Sequence, residues 1–179
     1  MKKIGIFYGS DTGNTEKISY IIQKNIGISQ SNVFDISNSS LKKMENFNIL
    51  FLGISTWYYG ELQCDWEESL HTLNKINLNN KIVALFGCGD QEDYSEYFCD
   101  SIGIMYHFLK KKNVQFVGFW PIINYSFEFS KAQKNKTHFF GLPIDEDNQS
   151  HLTYQRIKKW LKLVNSEINI IYSKNKLAK

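Results

Sequence analysis

Short apolar runs at residues 4–8, 33–36, 49–54 and 82–86 are nearly unbroken and rich in β-branched and aromatic side chains. A strand with one wet face alternates polar and apolar residues, so consecutive apolar positions predict strands covered on both faces, as in a parallel sheet. Helical periodicity fills the gaps: Ile18, Ile22 and Ile26 after the first run, Leu41, Met44 and Phe47 after the second, and Trp66, Leu70 and Leu73 before the fourth. Strand and helix in alternation require right-handed crossovers. They predict an α/β doubly wound parallel sheet with helices on both faces and ligand at the carboxyl ends of the strands, near the reversal of winding. After Phe98 a helical stretch runs toward Lys112, and residues 114–119 read as a fifth strand. The pattern breaks at Trp120 and Pro121, stays mixed polar and aromatic to Phe140, and resumes as an apolar run at residues 141–144. A last helix carries Leu152, Ile157, Leu161, Val164 and Ile168 on one side with Trp160 adjoining, and a polar tail over about residues 172–179 is expected to fray.

With 179 residues, 42% of them hydrophobic, the chain is expected to form one domain over residues 1–179 with a full core. It enters its first strand without an apolar leader, and no apolar stretch approaches the roughly 18 residues of a membrane span. The expectation is a cytoplasmic protein with no membrane partner. Cys64, Cys88 and Cys99 are an odd number without a Cys-x-x-Cys pair, which supports neither a disulfide framework nor a metal site. The net charge of +3 invites a nucleic-acid partner, but 20 Lys stand against Arg156 alone, beside 17 Asn and 21 Ile. All three residue types have AT-rich codons, and a nucleic-acid binder favours Arg for bidentate contacts, so compositional bias explains the charge. His71, His107, His138 and His151 are scattered, and no Ser or Cys has a base and orienting acid at recognisable spacing. Nothing marks an enzyme with side-chain catalysis.

Between the first strand and first helix stand Gly9, Ser10, Asp11, Thr12, Gly13, Asn14, Thr15 and Glu16. Unpaired backbone N–H groups and the helix dipole converge at such a place and make an anion site. The loop lacks the lysine of a nucleotide triphosphate loop and the Gly-x-Gly-x-x-Gly of a dinucleotide fold. What remains is a single phosphate monoester held by N–H and O–H donors from residues 10–15; for any one threonine, a plain helix cap is the competing role.

Ser10, Thr12, Gly13 and Thr15 at this spacing resemble the phosphate loop of the flavodoxins, small electron carriers that hold FMN. Thr56, Trp57, Tyr58, Tyr59 and Gly60 resemble the family's first flavin loop, and the stretch from Gly87 and Cys88 through Gly89 and Asp90 to Tyr94 its second, in the family's order and spacing. The resemblance spans nearly the whole chain and is greatest to the long-chain, enterobacterial type. It implies a flavodoxin-like five-stranded sheet of order 2-1-3-4-5, with the fifth strand split by an insertion over about residues 120–140. As a partner surface or as an outgrowth that buries aromatics, the insertion reads better as the latter. By resemblance Trp57 and Tyr94 sandwich the isoalloxazine. Asp90 and the backbone at Cys88 and Gly89 meet the pyrimidine edge, and Asp147 meets the ribityl chain, with a solvated acidic turn as its other reading. Ser55, Tyr58, Tyr59 and Tyr97 join the site, although core packing competes for the three tyrosines. In the family the peptide after the tryptophan contacts flavin N5 and reorients with redox state; the sequence leaves open whether it does so beside Tyr58.

The implied function is a low-potential one-electron carrier, a monomer that cycles FMN between semiquinone and hydroquinone. It takes electrons from an NADPH-dependent flavodoxin reductase and passes them to acceptor redox enzymes. A quinone or nitro-group reductase on the same fold would need an open flavin face, and a receiver-type signalling module would need an acidic cluster where Gly53, Ile54, Ser55 and Thr56 stand. Twelve of the 18 acidic residues, Glu61, Asp65, Glu67, Glu68, Asp90, Glu92, Asp93, Glu96, Asp100, Asp145, Glu146 and Asp147, fall in segments around the expected cofactor and predict an acidic docking rim. No Lys, Arg or His lies within residues 9–16, 55–68 or 87–100. Without a cation to offset it, a second negative charge on the flavin is opposed by desolvation and like charge.

Overall fold

In the computed structural model, which describes residues 2–177, the four apolar runs form parallel strands. β1 (Ile4–Tyr8), β2 (Val33–Asp35), β3 (Ile49–Gly53) and β4 (Ile82–Cys88) lie in the order β2-β1-β3-β4. The register sets Phe7 opposite Leu52 and Leu52 opposite Leu85. Two short strands share the fifth position. β5 (Gln115–Val117) pairs with the first half of β4, Ile82 opposite Gln115, and β6 (Leu142–Ile144) with the second half, Cys88 opposite Ile144. The sheet therefore has the order 2-1-3-4-5 with its fifth strand split.

Successive side chains leave a strand on opposite faces, so each apolar run feeds two cores. Phe7, Leu50, Leu52, Val83 and Leu85 meet α2 (Cys64–Lys75) and α3 (Asp100–Leu109) through Trp66, Leu73, Ile102, Met105 and Leu109. Ile6, Ile49, Phe51, Ala84 and Phe86 meet α1 (Asn14–Ile26) and α4 (Ser150–Leu177) through Ile18, Ile22, Ile157, Trp160 and Val164.

One expectation is corrected. Leu41, Met44 and Phe47 do not lie on an α-helix; residues Leu41–Asn46 form a 3-10 helix, in which a spacing of three already puts Leu41 and Met44 on one buried side. Over the tail expected to fray, α4 continues to Leu177, with Ile171 and Tyr172 still half-buried and residues 173–177 exposed; residues 178 and 179 lie outside the described ones.

Residues 118–141, between β5 and β6, contain an antiparallel ribbon of Trp120–Pro121 with His138–Phe139. Tyr125, Phe127 and Phe139 gather on the fully buried Phe98 with centroids 5.6, 5.5 and 6.2 Å away, so this segment buries aromatic surface. It also follows the chain after β4: Glu128 and Phe129 donate their N–H groups to the Ser95 carbonyl, and Lys131 its N–H to Asp100 Oδ1 at 2.6 Å. Among the described residues no helix is long and apolar enough to cross a membrane.

Candidate functional site

The carboxyl ends of β1, β3, β4 and β6 open into a cleft of about 480 Å3. Winding reverses between β1 and β3, where sheets of this kind bind ligands. The lining comes from four loops: Thr12, Asn14 and Thr15 after β1; Ser55, Thr56, Trp57 and Tyr58 after β3; Cys88 at the end of β4 with Gly89, Asp90, Tyr94 and Tyr97 after it; and Asp147 after β6.

The loop after β1 turns at Gly13, whose φ of 87° strains any residue with a Cβ. Ser10 Oγ accepts the Gly13 N–H at 3.1 Å, and Lys17 N–H donates to the Gly13 carbonyl at 2.9 Å to start α1. No side chain caps this helix, so its first-turn N–H groups stand open with the positive end of the dipole behind them. Thr15 Oγ1 is buried and has no hydrogen-bond partner. Leaving a hydroxyl in that condition costs about 1–3 kcal/mol, and a phosphate oxygen in the cleft would supply the missing acceptor. The donor set, all N–H and O–H, fits a phosphate monoester.

Gln63, which the sequence reading missed, fixes the far side of this loop. It is fully buried, and its Nε2 donates to Asp11 Oδ1 at 3.0 Å and Asp65 Oδ2 at 2.6 Å. A Cβ on Gly9 would lie 2.0 Å from its Oε1. The only signal in the sequence is a polar residue just before a helix. Asp11, Cys64 and Asp65 bring ligand-type atoms within 4.8 Å of one another, but Gln63 Nε2 already engages both carboxylates.

After β3 the chain forms a hairpin, Thr56 opposite Leu62 and Trp57 opposite Glu61, with Tyr58, Tyr59 and Gly60 at its tip. Tyr58 adopts φ 46°; a left-handed conformation at a residue with a side chain stores about 1–3 kcal/mol. Trp57 Nε1 donates to Ser55 Oγ at 3.2 Å, which orients the indole. Ser101, a second residue the sequence did not single out, accepts from Thr56 Oγ1 at 2.8 Å, returns its N–H at 3.1 Å and donates its hydroxyl to the Ile54 carbonyl at 3.1 Å. Tyr58 and Tyr59 are 67% and 75% exposed, which removes core packing as their role. Tyr97 meets the Tyr59 ring edge-on at 5.8 Å.

After β4, Asp90 Oδ1 accepts the N–H groups of Glu92 and Asp93 at 2.8 and 2.9 Å and Asn148 Nδ2 at 2.8 Å, while Tyr94 stays half exposed. Five of the expected site residues do not line the cleft: Ser10 and Gly13 shape the first loop, Asp11 and Gly60 border a neighbouring hollow beside Trp57 and α2, and Tyr59 is open to solvent.

The acidic rim needs correction. Asp100 and Asp145 are fully buried and cannot face a partner; Asp100 pairs with Lys131 Nζ at 3.0 Å. Glu61, Glu67, Glu68, Glu92, Asp93, Glu96 and Asp147 are exposed, and Glu128 of the segment between β5 and β6 joins them by accepting from Ser95 Oγ. A cation thus does reach the loops, from residue 131, but its charge is matched by Asp100. Partial burial, then the carboxylates of Asp90, Asp145, Glu146 and Asp93, hold the Asp147 carboxyl above its ordinary range. Burial pushes the Cys88 thiol up to about 12 and the Cys99 thiol well above its usual value.

Residues 6–160 match the family model "Flavodoxin". The chain is 61% identical over 164 residues to the flavodoxin of Buchnera aphidicola subsp. Acyrthosiphon pisum, covering 92% of this chain and 96% of that one. It is 51% identical over 166 residues to flavodoxin 1 of Escherichia coli K12, covering 93% and 94%. The structure of Fusobacterium nucleatum flavodoxin bound to flavin mononucleotide superposes with a TM-score of 0.85 at 34% identity, covering 93% of this chain and 99% of that one. The loops, the sheet and these relatives agree, and the chain belongs to the flavodoxin family of electron carriers.

Proposed function

We propose that this chain, acting as one monomeric domain in the cytoplasm, holds one FMN in the four-loop cleft. In this reading it carries electrons from an NADPH-dependent flavodoxin reductase to acceptor redox enzymes. The observation that carries this is the unpartnered, buried Thr15 Oγ1 at an uncapped helix start, in the same cleft as Trp57 and Tyr94. FMN when bound supplies one-electron chemistry between semiquinone and hydroquinone. The protein's part is to bind and to bias. Hydroxyls and N–H groups of residues 10–15 hold the phosphate, while the apolar faces of Trp57 and Tyr94 exclude water from the ring. Asp90 and Asp147, with no unmatched cation from the three flavin loops, oppose further negative charge in the cleft. The exposed acidic rim favours a basic-faced partner although the chain carries a formal +3.

Stepwise anaerobic reduction of the FMN-loaded protein tests this. A blue neutral semiquinone should be the major species at the midpoint. Direct passage from oxidised to fully reduced flavin would refute the one-electron carrier in favour of a two-electron reductase.

A further inference from the structure

Asp145 has no exposed surface, and every group hydrogen-bonded to it is a donor. Its Oδ2 accepts the main-chain N–H of Gln91 at 3.2 Å and the side-chain Nε2 of Gln91 at 2.8 Å. Its Oδ1 accepts the N–H groups of Asp147 at 3.1 Å and Asn148 at 2.9 Å, and Asn148 Nδ2 lies 3.3 and 3.1 Å from the two oxygens. Asn148 Nδ2 also donates to Asp90 Oδ1 at 2.8 Å. Gln91, itself 3% exposed, accepts the Ser126 N–H on its Oε1 at 2.7 Å. No ion pair among the described residues includes Asp145.

A buried acid without a cation is tolerated only when donors satisfy both oxygens. Here the position selects a carboxylate in particular. An amide would turn its own NH2 toward donors whichever way it is flipped, and an apolar residue would strand all of them. The donors come from two stretches, the loop after β4 and the turn after β6, which bring Asp90, Tyr94 and Asp147 to the cleft.

We propose that Asp145 is a positioning residue for the cofactor: its carboxylate fastens the loop after β4 to the turn after β6 and, through Asn148, holds Asp90, and with it the turn over Glu92 and Asp93 that leads to Tyr94, at the flavin-ring end of the cleft. This rests on the FMN reading above. The phosphate is held separately by the loop after β1, so loosening the hub weakens binding of the ring and leaves the phosphate contribution intact.

The experiment titrates ligand-free parent, Asp145→Asn and Asn148→Ala with FMN and with riboflavin, following flavin emission, and records thermal unfolding of each ligand-free form. Loops no longer fastened in the free protein must be ordered when flavin binds, so Asp145→Asn should weaken both flavins by about tenfold to a hundredfold, and Asn148→Ala by less. The ratio of FMN to riboflavin affinity should stay at the parent's value, and emission of the bound flavin should be less fully quenched. Asn148 is half-buried on a turn, so its variant decides the matter if Asp145→Asn does not fold. Variants that bind both flavins as the parent does, with only a lower unfolding temperature, would reduce Asp145 to a structural acid and overturn the proposal. Loss of FMN affinity with riboflavin affinity retained would also overturn it, by placing the effect at the phosphate. A parent that binds FMN no better than riboflavin would instead sink the FMN reading.

Discussion

Thr15→Val should change the free protein and the FMN complex in opposite directions. The substitution removes one oxygen, and in the ligand-free protein that oxygen is buried without a partner. Relieving it should stabilise the fold by about 1 kcal/mol, which for a chain of this size raises the unfolding midpoint by roughly 2–4 °C. In the proposed complex the same oxygen would donate to a phosphate, and a bond to a charged acceptor contributes about 1.5–3 kcal/mol. At 1.4 kcal/mol per decade, FMN affinity should fall roughly tenfold to a hundredfold. Riboflavin, which has no phosphate, should bind the variant as it binds the parent. Calorimetry of the ligand-free forms and fluorescence titration with both flavins measure the two signs. Unaltered FMN affinity, an equal loss for both flavins, or a lower midpoint in the variant would each refute the assignment of Thr15.

Trp57→Ala should lose about 0.5–1.5 kcal/mol of stacking beyond its area burial and brighten bound flavin; parent-like affinity with undiminished quenching would show that the indole is not on the ring. Electron transfer from a basic-faced reductase should slow as ionic strength passes about 0.1 M, where the screening length is near 10 Å, and a rate indifferent to salt would count against the acidic rim. At neutral pH a thiol reagent should modify one cysteine of the folded protein, Cys64, and only slowly, because desolvation and then the nearby Asp65 and Asp11 raise its thiol while Cys88 and Cys99 are buried; prompt labelling of all three would contradict this. Asp147 has a raised carboxyl in the folded state, so the folded form holds its proton more tightly than the unfolded chain, and the charged form costs stability above that raised value. Asp147→Asn should therefore raise the unfolding midpoint of ligand-free protein at neutral pH, with the gain vanishing once pH falls below the ordinary carboxylate range; a gain that persists there would point to another cause.

The sheet was legible because both its faces are covered: consecutive apolar residues such as Ile49, Leu50, Phe51 and Leu52 can only alternate between two cores. The cleft was legible because its loops carry local chemistry, a hydroxyl-and-glycine turn after β1 and aromatics just beyond β3 and β4. Burial of acids was not. Asp145 and Asp147 stand two residues apart with the same composition around them, yet one is enclosed and the other exposed. What separates them is Gln91, 54 residues earlier in the chain, and no local pattern encodes that meeting. Asp100 is the same case, matched by Lys131 from the segment between β5 and β6. The distinction divides the acids by what can screen them. Exposed carboxylates such as Glu67 and Asp93 act across water, where salt weakens them, whereas the buried pair of Asp145 and Asp100 acts through fixed contacts that mobile ions do not enter. Raising salt should therefore slow docking of a reductase while leaving FMN affinity at the ring end, read with riboflavin, nearly unchanged. A riboflavin affinity that fell in step with the docking rate would mean that the surface acids, and not the enclosed ones, shape the cleft.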